Sequence, residues 1–278
     1  MEKHISDECA ARYPLLLVHG MGFRDRKYLN YWGRIPKKLT QRGAVVFYGG
    51  QDSAGSVGAN AVKLAESLEA ALEKSGAEKV NIIAHSKGGL EARLLAANGY
   101  ADRIASISTI NTPHNGSLTV DRLMRLPKPL IKLAAKLTDL WMKLLGDSSP
   151  DAYSCFETFT TAAAERFNAE NPVPDGVYCQ SFAFKLKNVF GDLTMLIPYL
   201  VVRHFDGEND GLLSERAVRW AGFRGVYTSV SGRGISHPDE VDIRRMRFSR
   251  KTPANDHEIA DITDFYIRLV SGLKEKGL

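Results

Sequence analysis

Short, continuous apolar runs alternate along this chain with stretches in which apolar residues return every three or four positions. The run at 13–18 (YPLLLV) ends in His19-Gly20 and has no polar face, which predicts a strand buried on both sides of a sheet. A second run at 44–48 closes on Gly49-Gly50, a third covers 80–84 and a fourth 104–110; further strands are predicted at 176–184 and 225–230. Between 61 and 72 the residues Leu64, Ala65, Leu68 and Leu72 fall at helical spacing, with Gly76 as a stop. Another helix is predicted at 88–97, and a last one at 259–273 carries Ile262, Phe265, Ile267 and Leu269 and ends near Gly272. Strands alternating with helices imply parallel crossovers, and so an α/β sheet covered on both faces.

The segment 118–145 breaks that rhythm. Leu126, Leu130, Leu133, Leu137, Leu140 and Leu144 keep three-and-four spacing, Lys132, Lys136 and Lys143 fall off the stripe, and Pro127 and Pro129 punctuate its start. With no internal repeat and no low-complexity linker, the pattern predicts one domain over 1–278 with a helical insertion at 118–150.

Composition narrows the function classes. The chain has 278 residues, 44% of them hydrophobic, and a formal net charge of +5 with acids spread among the bases. A nucleic-acid binder would show a dense basic stripe interleaved with aromatics, so nucleic acid is not an expected partner. Cys9, Cys155 and Cys179 are odd in number and lack metal-ligand spacing, which points to free thiols. No apolar run precedes the first strand and none is long enough to span a bilayer, so a soluble cytoplasmic protein is expected; a secreted protein already trimmed of its signal would read the same way.

The chemistry concentrates in Asn81-Ile82-Ile83-Ala84-His85-Ser86-Lys87-Gly88-Gly89, where a buried strand runs into a tight turn and then a helix. That is the context of a nucleophile elbow: the serine sits on a turn too sharp for large neighbours, and Ala84 and Gly88 are the small residues two before and two after it. Ser86 is the expected nucleophile, and the Lys87 side chain is expected to be solvated. Directly after the first strand, His19-Gly20-Met21-Gly22 can bring a backbone N–H close to a substrate carbonyl, so the N–H groups of Met21 and Lys87 form the expected oxyanion hole. A serine needs a histidine base, which in turn needs an acid, in the chain order Ser, Asp or Glu, His. Of seven histidines only His204, His237 and His257 lie late enough. His237, in the loop 231–239 after the last predicted strand, is the expected base; His257 reads as a surface or capping residue. Asp210, in the polar turn 206–212, is the expected acid, with Asp206 its competitor and otherwise a solvated turn residue.

Taken together, VHGMG (18–22), AHSKGG (84–89), NTPHNGS (111–117), GENDGLL (207–213) and ISHPDEVD (235–242) resemble the bacterial triacylglycerol lipase and esterase family. The resemblance implies the α/β-hydrolase fold, with a mostly parallel central sheet flanked by helices and a cap or lid insertion. It implies the same residues: Ser86 as nucleophile, Asp210 as acid, His237 as base, and Met21 and Lys87 as oxyanion donors. In secreted relatives an Asp two residues after the catalytic His helps bind calcium. Asp239 stands at that place, but Ile243 replaces the usual supporting glutamine, so a salt-bridged Asp239 is the expectation and no metal or cofactor is required. Leu126, Leu130 and Trp141 are expected to line an acyl pocket, with the insertion touching a lipid interface transiently. An ester or lipid substrate follows. The rivals are an acyltransferase or thioesterase using the same three residues, and a non-catalytic hydrolase-fold protein that binds a lipid or a partner. Oligomeric state is not legible.

Overall fold

A computed structural model describes residues 6–22 and 30–278. Seven strands form one sheet: β1 (Leu15–Val18), β2 (Val46–Tyr48), β3 (Val80–His85), β4 (Ile104–Ile110), β5 (Tyr178–Phe184), β6 (Phe223–Ser229) and β7 (Glu258–Ile259). Every neighbouring pair is parallel, in the order 2-1-3-4-5-6-7. The six strands predicted from periodicity are all present, within two residues at each end; β7, two residues long, has no pattern to announce it.

The helices are α1 (Ile35–Thr40), α2 (Val57–Ser75), α3 (Gly88–Leu95), α4 (Leu118–Leu123), α5 (Lys128–Leu144), α6 (Ala152–Thr158), α7 (Thr161–Glu170), α8 (Leu196–Phe205), α9 (Glu215–Val218) and α10 (Ile262–Glu275). Strand alternation sorts the apolar run of β1 onto two faces. Leu15 and Leu17 pack with Trp32, Ile35 and the α10 residues Phe265 and Tyr266, whereas Leu16 and Val18 pack with Leu64 and Leu68 of α2 and Ala92 of α3. Each such leucine contributes about 1.5–3 kcal/mol on full burial, which is why a run with no polar face marks a central strand. Helix α2 ends where expected: Gly76 is left-handed at φ +68°, and its N–H closes on Leu72 O at 2.9 Å. Among the described residues no helix is long and apolar enough to cross a membrane.

The stretch 118–145 holds two helices, with Pro127 just before α5 and Pro129 in its first turn, and the helical excursion continues through α7 to residue 170. The leucine stripe also faces away from the core: Leu126, Leu130, Leu133, Leu137, Leu140 and Leu144 are 50–73% exposed. The seam that packs down is Ile131, Ala135 and Met142, a second set at helical spacing on the same helix. Periodicity detects an apolar stripe but does not say which of two is buried.

Candidate active site

Strand order reverses at β1, whose neighbours β2 and β3 leave in opposite directions, and a crevice therefore opens at the carboxyl ends of β1 and β3. Ser86 sits there, between β3 and α3, with φ +53°. A serine in the left-handed region is uncommon, and the turn that imposes it is held by Ser86 N–H donating to Ile110 O at 2.9 Å. Close packing explains the small residues around it. A Cβ on Gly20 would lie 2.7 Å from Ser86 Cβ and 2.8 Å from the Tyr31 hydroxyl, and one on Gly88 would lie 2.6 Å from the carbonyls of Val18 and His19. The 19–22 loop can approach the serine only because Gly20 and Gly88 have no side chains.

The polar turn after α8 and the loop after β6 bring two further residues to this crevice. His237 Nδ1 is 2.5 Å from Asp210 Oδ2, and His237 N–H donates to Asp210 O at 2.9 Å. Asp210 is fully buried, and its Oδ1 accepts the Leu212 and Leu213 N–H groups at 2.7 Å each. Burial opposes its ionisation, but the adjoining His237 and these hydrogen bonds outweigh it, holding the carboxyl well below the usual carboxylate range. Ser86 and His237 line one cavity of about 660 Å³, and among the described residues they are the only polar side chains in its wall. Ser86 Oγ makes no hydrogen bond among the described residues, and neither the Met21 nor the Lys87 backbone N–H has an acceptor among them.

Several expectations about individual residues change. Lys87 is fully buried rather than solvated: Nζ donates to Gly55 O at 2.8 Å and pairs with Glu91 one helical turn on. Asp206 does not approach His237. It caps α4, accepting from the Thr119 N–H and hydroxyl at 2.8 Å each and from Ser117 Oγ at 3.0 Å, and it pairs with Arg216. Leu126 and Leu130 line the cavity together with Met21, but Trp141 does not; it is 58% exposed on the outer face of α5. His257 is an exposed residue against Tyr227, as expected.

The donors around Asp239 do not suit calcium. Arg244 Nε donates to Asp239 Oδ1 at 2.7 Å, and Nη2 reaches both Asp239 Oδ2 and, at 3.3 Å, Asp192 Oδ2. Ser236 Oγ bridges the same two carboxylates at 2.6 and 3.0 Å. The guanidinium thus supplies the positive charge that two buried carboxylates demand, and a divalent ion would have to displace it.

Sequence reasoning left a second carboxylate without a role. Glu240 is fully buried; Oε2 is 2.9 Å from His85 Nε2 and 3.7 Å from His237 Nδ1, and Oε1 accepts from Asn111 Nδ2 at 2.8 Å. The same Asn111 nitrogen donates to Asp210 Oδ2 at 2.5 Å, and His85 Nδ1 meets the Tyr31 hydroxyl at 2.6 Å. Burial and then the charge of Asp210 push the Glu240 carboxyl well above its usual range, while burial and then His237 push the His85 imidazole well below its own. The surroundings therefore shift the two carboxyls in opposite directions, favouring ionisation of Asp210 and disfavouring that of Glu240. Asn111 and Glu240 stand within the NTPHNGS and ISHPDEVD segments, but nothing in their spacing marks a role.

The comparisons with known proteins agree with this architecture. A family model described as the alpha/beta hydrolase fold matches residues 13–148. A triacylglycerol lipase of Pseudomonas fragi is 32% identical over 311 aligned positions, spanning 99% of this chain and 100% of that protein. A triacylglycerol lipase of Vibrio cholerae is 32% identical over 73% of this chain and 72% of its own length. The crystal structure of Staphylococcus hyicus lipase covers 99% of both chains with a TM-score of 0.66 at 18% identity, a likeness of fold. With a parallel seven-stranded sheet and relatives of this identity along most of its length, the chain belongs to the triacylglycerol lipase/esterase family of the α/β-hydrolase superfamily.

Proposed function

We propose that this carboxylic-ester hydrolase cleaves fatty acyl esters through Ser86, His237 and Asp210 by way of an acyl-enzyme. The observation that carries the reading is the Asp210-bound His237 at the wall of a cavity it shares with Ser86 and, among the described residues, otherwise only with apolar side chains. Asp210 keeps the His237 proton on Nδ1, which leaves Nε2 free to take the Ser86 proton as Oγ attacks the ester carbonyl. The imidazolium that forms is balanced by the ionised Asp210. The Met21 and Lys87 N–H groups, not committed to internal acceptors, hold the tetrahedral oxyanion; losing one such donor typically costs about 100- to 1,000-fold in rate. His237 then protonates the leaving alcohol, and water attacks the acyl-enzyme by the same route.

A wall whose described side chains are apolar apart from Ser86 and His237 favours neutral, apolar acyl groups, since a charged group would be desolvated against it without a partner. The helical excursion 118–170 supplies much of that wall through Val120, Leu123, Met124, Leu126, Leu130 and Ile131. It acts as a cap, and the outward leucines of α5, flanked by exposed Lys128, Lys132, Lys136 and Lys143, meet the oil–water boundary. The test is turnover of p-nitrophenyl esters with Ser86→Ala, together with fluorophosphonate labelling of the unaltered protein. The expected result is loss of turnover with the fold retained, and labelling at Ser86; undiminished turnover in the variant overturns the reading.

A further inference from the structure

The loop 51–55, which follows β2, touches both sides of the oxyanion hole named above, and the inference drawn from it rests on that reading of Met21 and Lys87. Gln51 Nε2 donates to His19 O at 2.9 Å, Gly22 N–H donates to Ser53 Oγ at 2.6 Å, and Lys87 Nζ donates to Gly55 O at 2.8 Å. The Ser53 contact bears most directly on the hole, because Gly22 is the residue after Met21. Gly22 is left-handed at φ +103°, and a Cβ added there would meet no atom of the described residues within 4 Å. The hydrogen bond to Ser53 ties this peptide to the 51–55 loop.

Ser53 is in turn held from the other side. Asp147, just beyond α5, accepts the Ser53 N–H at 3.0 Å and the Ala54 N–H at 2.7 Å. Asp52 returns the arrangement, accepting the N–H groups of Ser148 at 3.0 Å and Ser149 at 2.8 Å, with Lys63 Nζ at 2.6 Å. Both carboxylates and Ser53 are buried. Charge-assisted bonds of a carboxylate to backbone N–H groups are among the stronger ones in proteins, and two of them facing in opposite directions leave this junction little freedom.

We propose that the reciprocal clasp of Asp52 and Asp147, acting through the Ser53 hydroxyl on the Gly22 amide, positions the oxyanion loop and couples it to the end of α5. Asp147 and Ser53 are positioning residues: neither lines the cavity, and each acts through another residue. If α5 moves at a lipid surface, this junction is where the movement reaches the hole.

The experiment uses the full chain with Ser53→Ala, Asp147→Asn and, as control, Asp121→Asn, which removes a carboxylate that binds Thr161 within the helical excursion and does not touch the loop. Steady-state constants for a short p-nitrophenyl ester are measured with the inhibition constant of a phenylboronic acid, whose tetrahedral adduct needs the oxyanion donors. Ser53→Ala and Asp147→Asn are expected to lower kcat about tenfold with KM within about twofold, and to weaken the boronic acid by the same factor as kcat, while Asp121→Asn stays within about twofold throughout. Unchanged kcat in Ser53→Ala, a fall in kcat without weaker boronate binding, or an equal fall in Asp121→Asn overturns the coupling. Should Asp147→Asn fail to fold, Ser53→Ala, which removes a single oxygen, decides alone. An unaltered protein that neither turns over the ester nor labels at Ser86 defeats the catalytic reading instead, so the two failures are distinct.

Discussion

Two buried carboxyl groups flank one imidazole, and their surroundings push them in opposite directions, Asp210 toward the ionised form and Glu240 toward the neutral one. Exchanging each for its amide isostere separates them. Asp210 accepts from Leu212 N–H, Leu213 N–H, Asn111 Nδ2 and His237 Nδ1, four donors converging on two oxygens. In Asp210→Asn the amide oxygen can keep the two backbone donors, which places the NH2 group against Asn111 Nδ2 and His237 Nδ1. A donor facing His237 Nδ1 forces its proton onto Nε2, the tautomer that cannot take the Ser86 proton. The cost is expected to be about 10⁴-fold in kcat, about 5 kcal/mol of transition-state stabilisation. Glu240→Gln should behave otherwise. Its surroundings favour the neutral carboxyl, which an amide of the same shape mimics, and the oxygen nearest Asn111 still accepts its bond; kcat should fall by no more than about fivefold. The assay is steady-state hydrolysis of a soluble ester with the fluorophosphonate labelling rate measured in parallel, both at a pH where the unaltered protein is fully active. Equal damage from the two substitutions, or Asp210→Asn within about tenfold of the unaltered protein, would refute the assignment of charge.

Gly20→Ala should lower kcat by at least about tenfold with the fold retained, because the new methyl would press on Ser86 and Tyr31; circular dichroism and ester turnover check this together. Replacing Leu133, Leu137 and Leu140 by serine should leave thermal stability nearly unchanged, since those side chains are already largely in water, and leave turnover of a dissolved short ester intact. Turnover of an emulsified triglyceride should fall, and equal loss on both substrates would show that the stripe serves the fold instead. Chelation by EDTA should not change Tm, because Arg244 neutralises Asp192 and Asp239. Arg244→Met, which leaves Asp239 with only the more distant Arg233 and takes the guanidinium from Asp192, should lower stability by about 1–3 kcal/mol after discount for the partial exposure of the arginine; denaturant unfolding measures it.

What the sequence made legible follows from how uniquely each residue pattern constrains its surroundings. A run such as LLLV fits only where both faces are covered, and Leu15–Val18 lies there. The glycines around Ser86 and His19 signal close backbone approach, and the clashes a Cβ would meet at Gly20 and Gly88 bear that out. The α5 stripe is legible as amphipathic but its direction is not, since its two apolar faces differ only in what lies across from them. Lys87 was misjudged because lysine is rarely buried; here Glu91 four residues on and the Gly55 carbonyl supply what water otherwise would. Glu240 carried no signal at all. The upward shift of its carboxyl comes from burial and then from Asp210, 30 residues away, and only the fold supplies both.

The choice of an amide at position 111 then has a physical reason. Asn111 stands at the end of β4 with φ +38°, a conformation asparagine tolerates better than most residues, and its side-chain nitrogen serves both carboxyl groups at once. A lysine or arginine there would bind Asp210 more strongly, but its permanent positive charge would oppose the imidazolium that His237 must become as Ser86 is deprotonated. A neutral donor fixes the Asp210 carboxylate in place while leaving its negative charge uncompensated until the reaction supplies a cation. The electrostatic work of the site is thereby reserved for the moment of proton transfer, which is where differential stabilisation raises kcat.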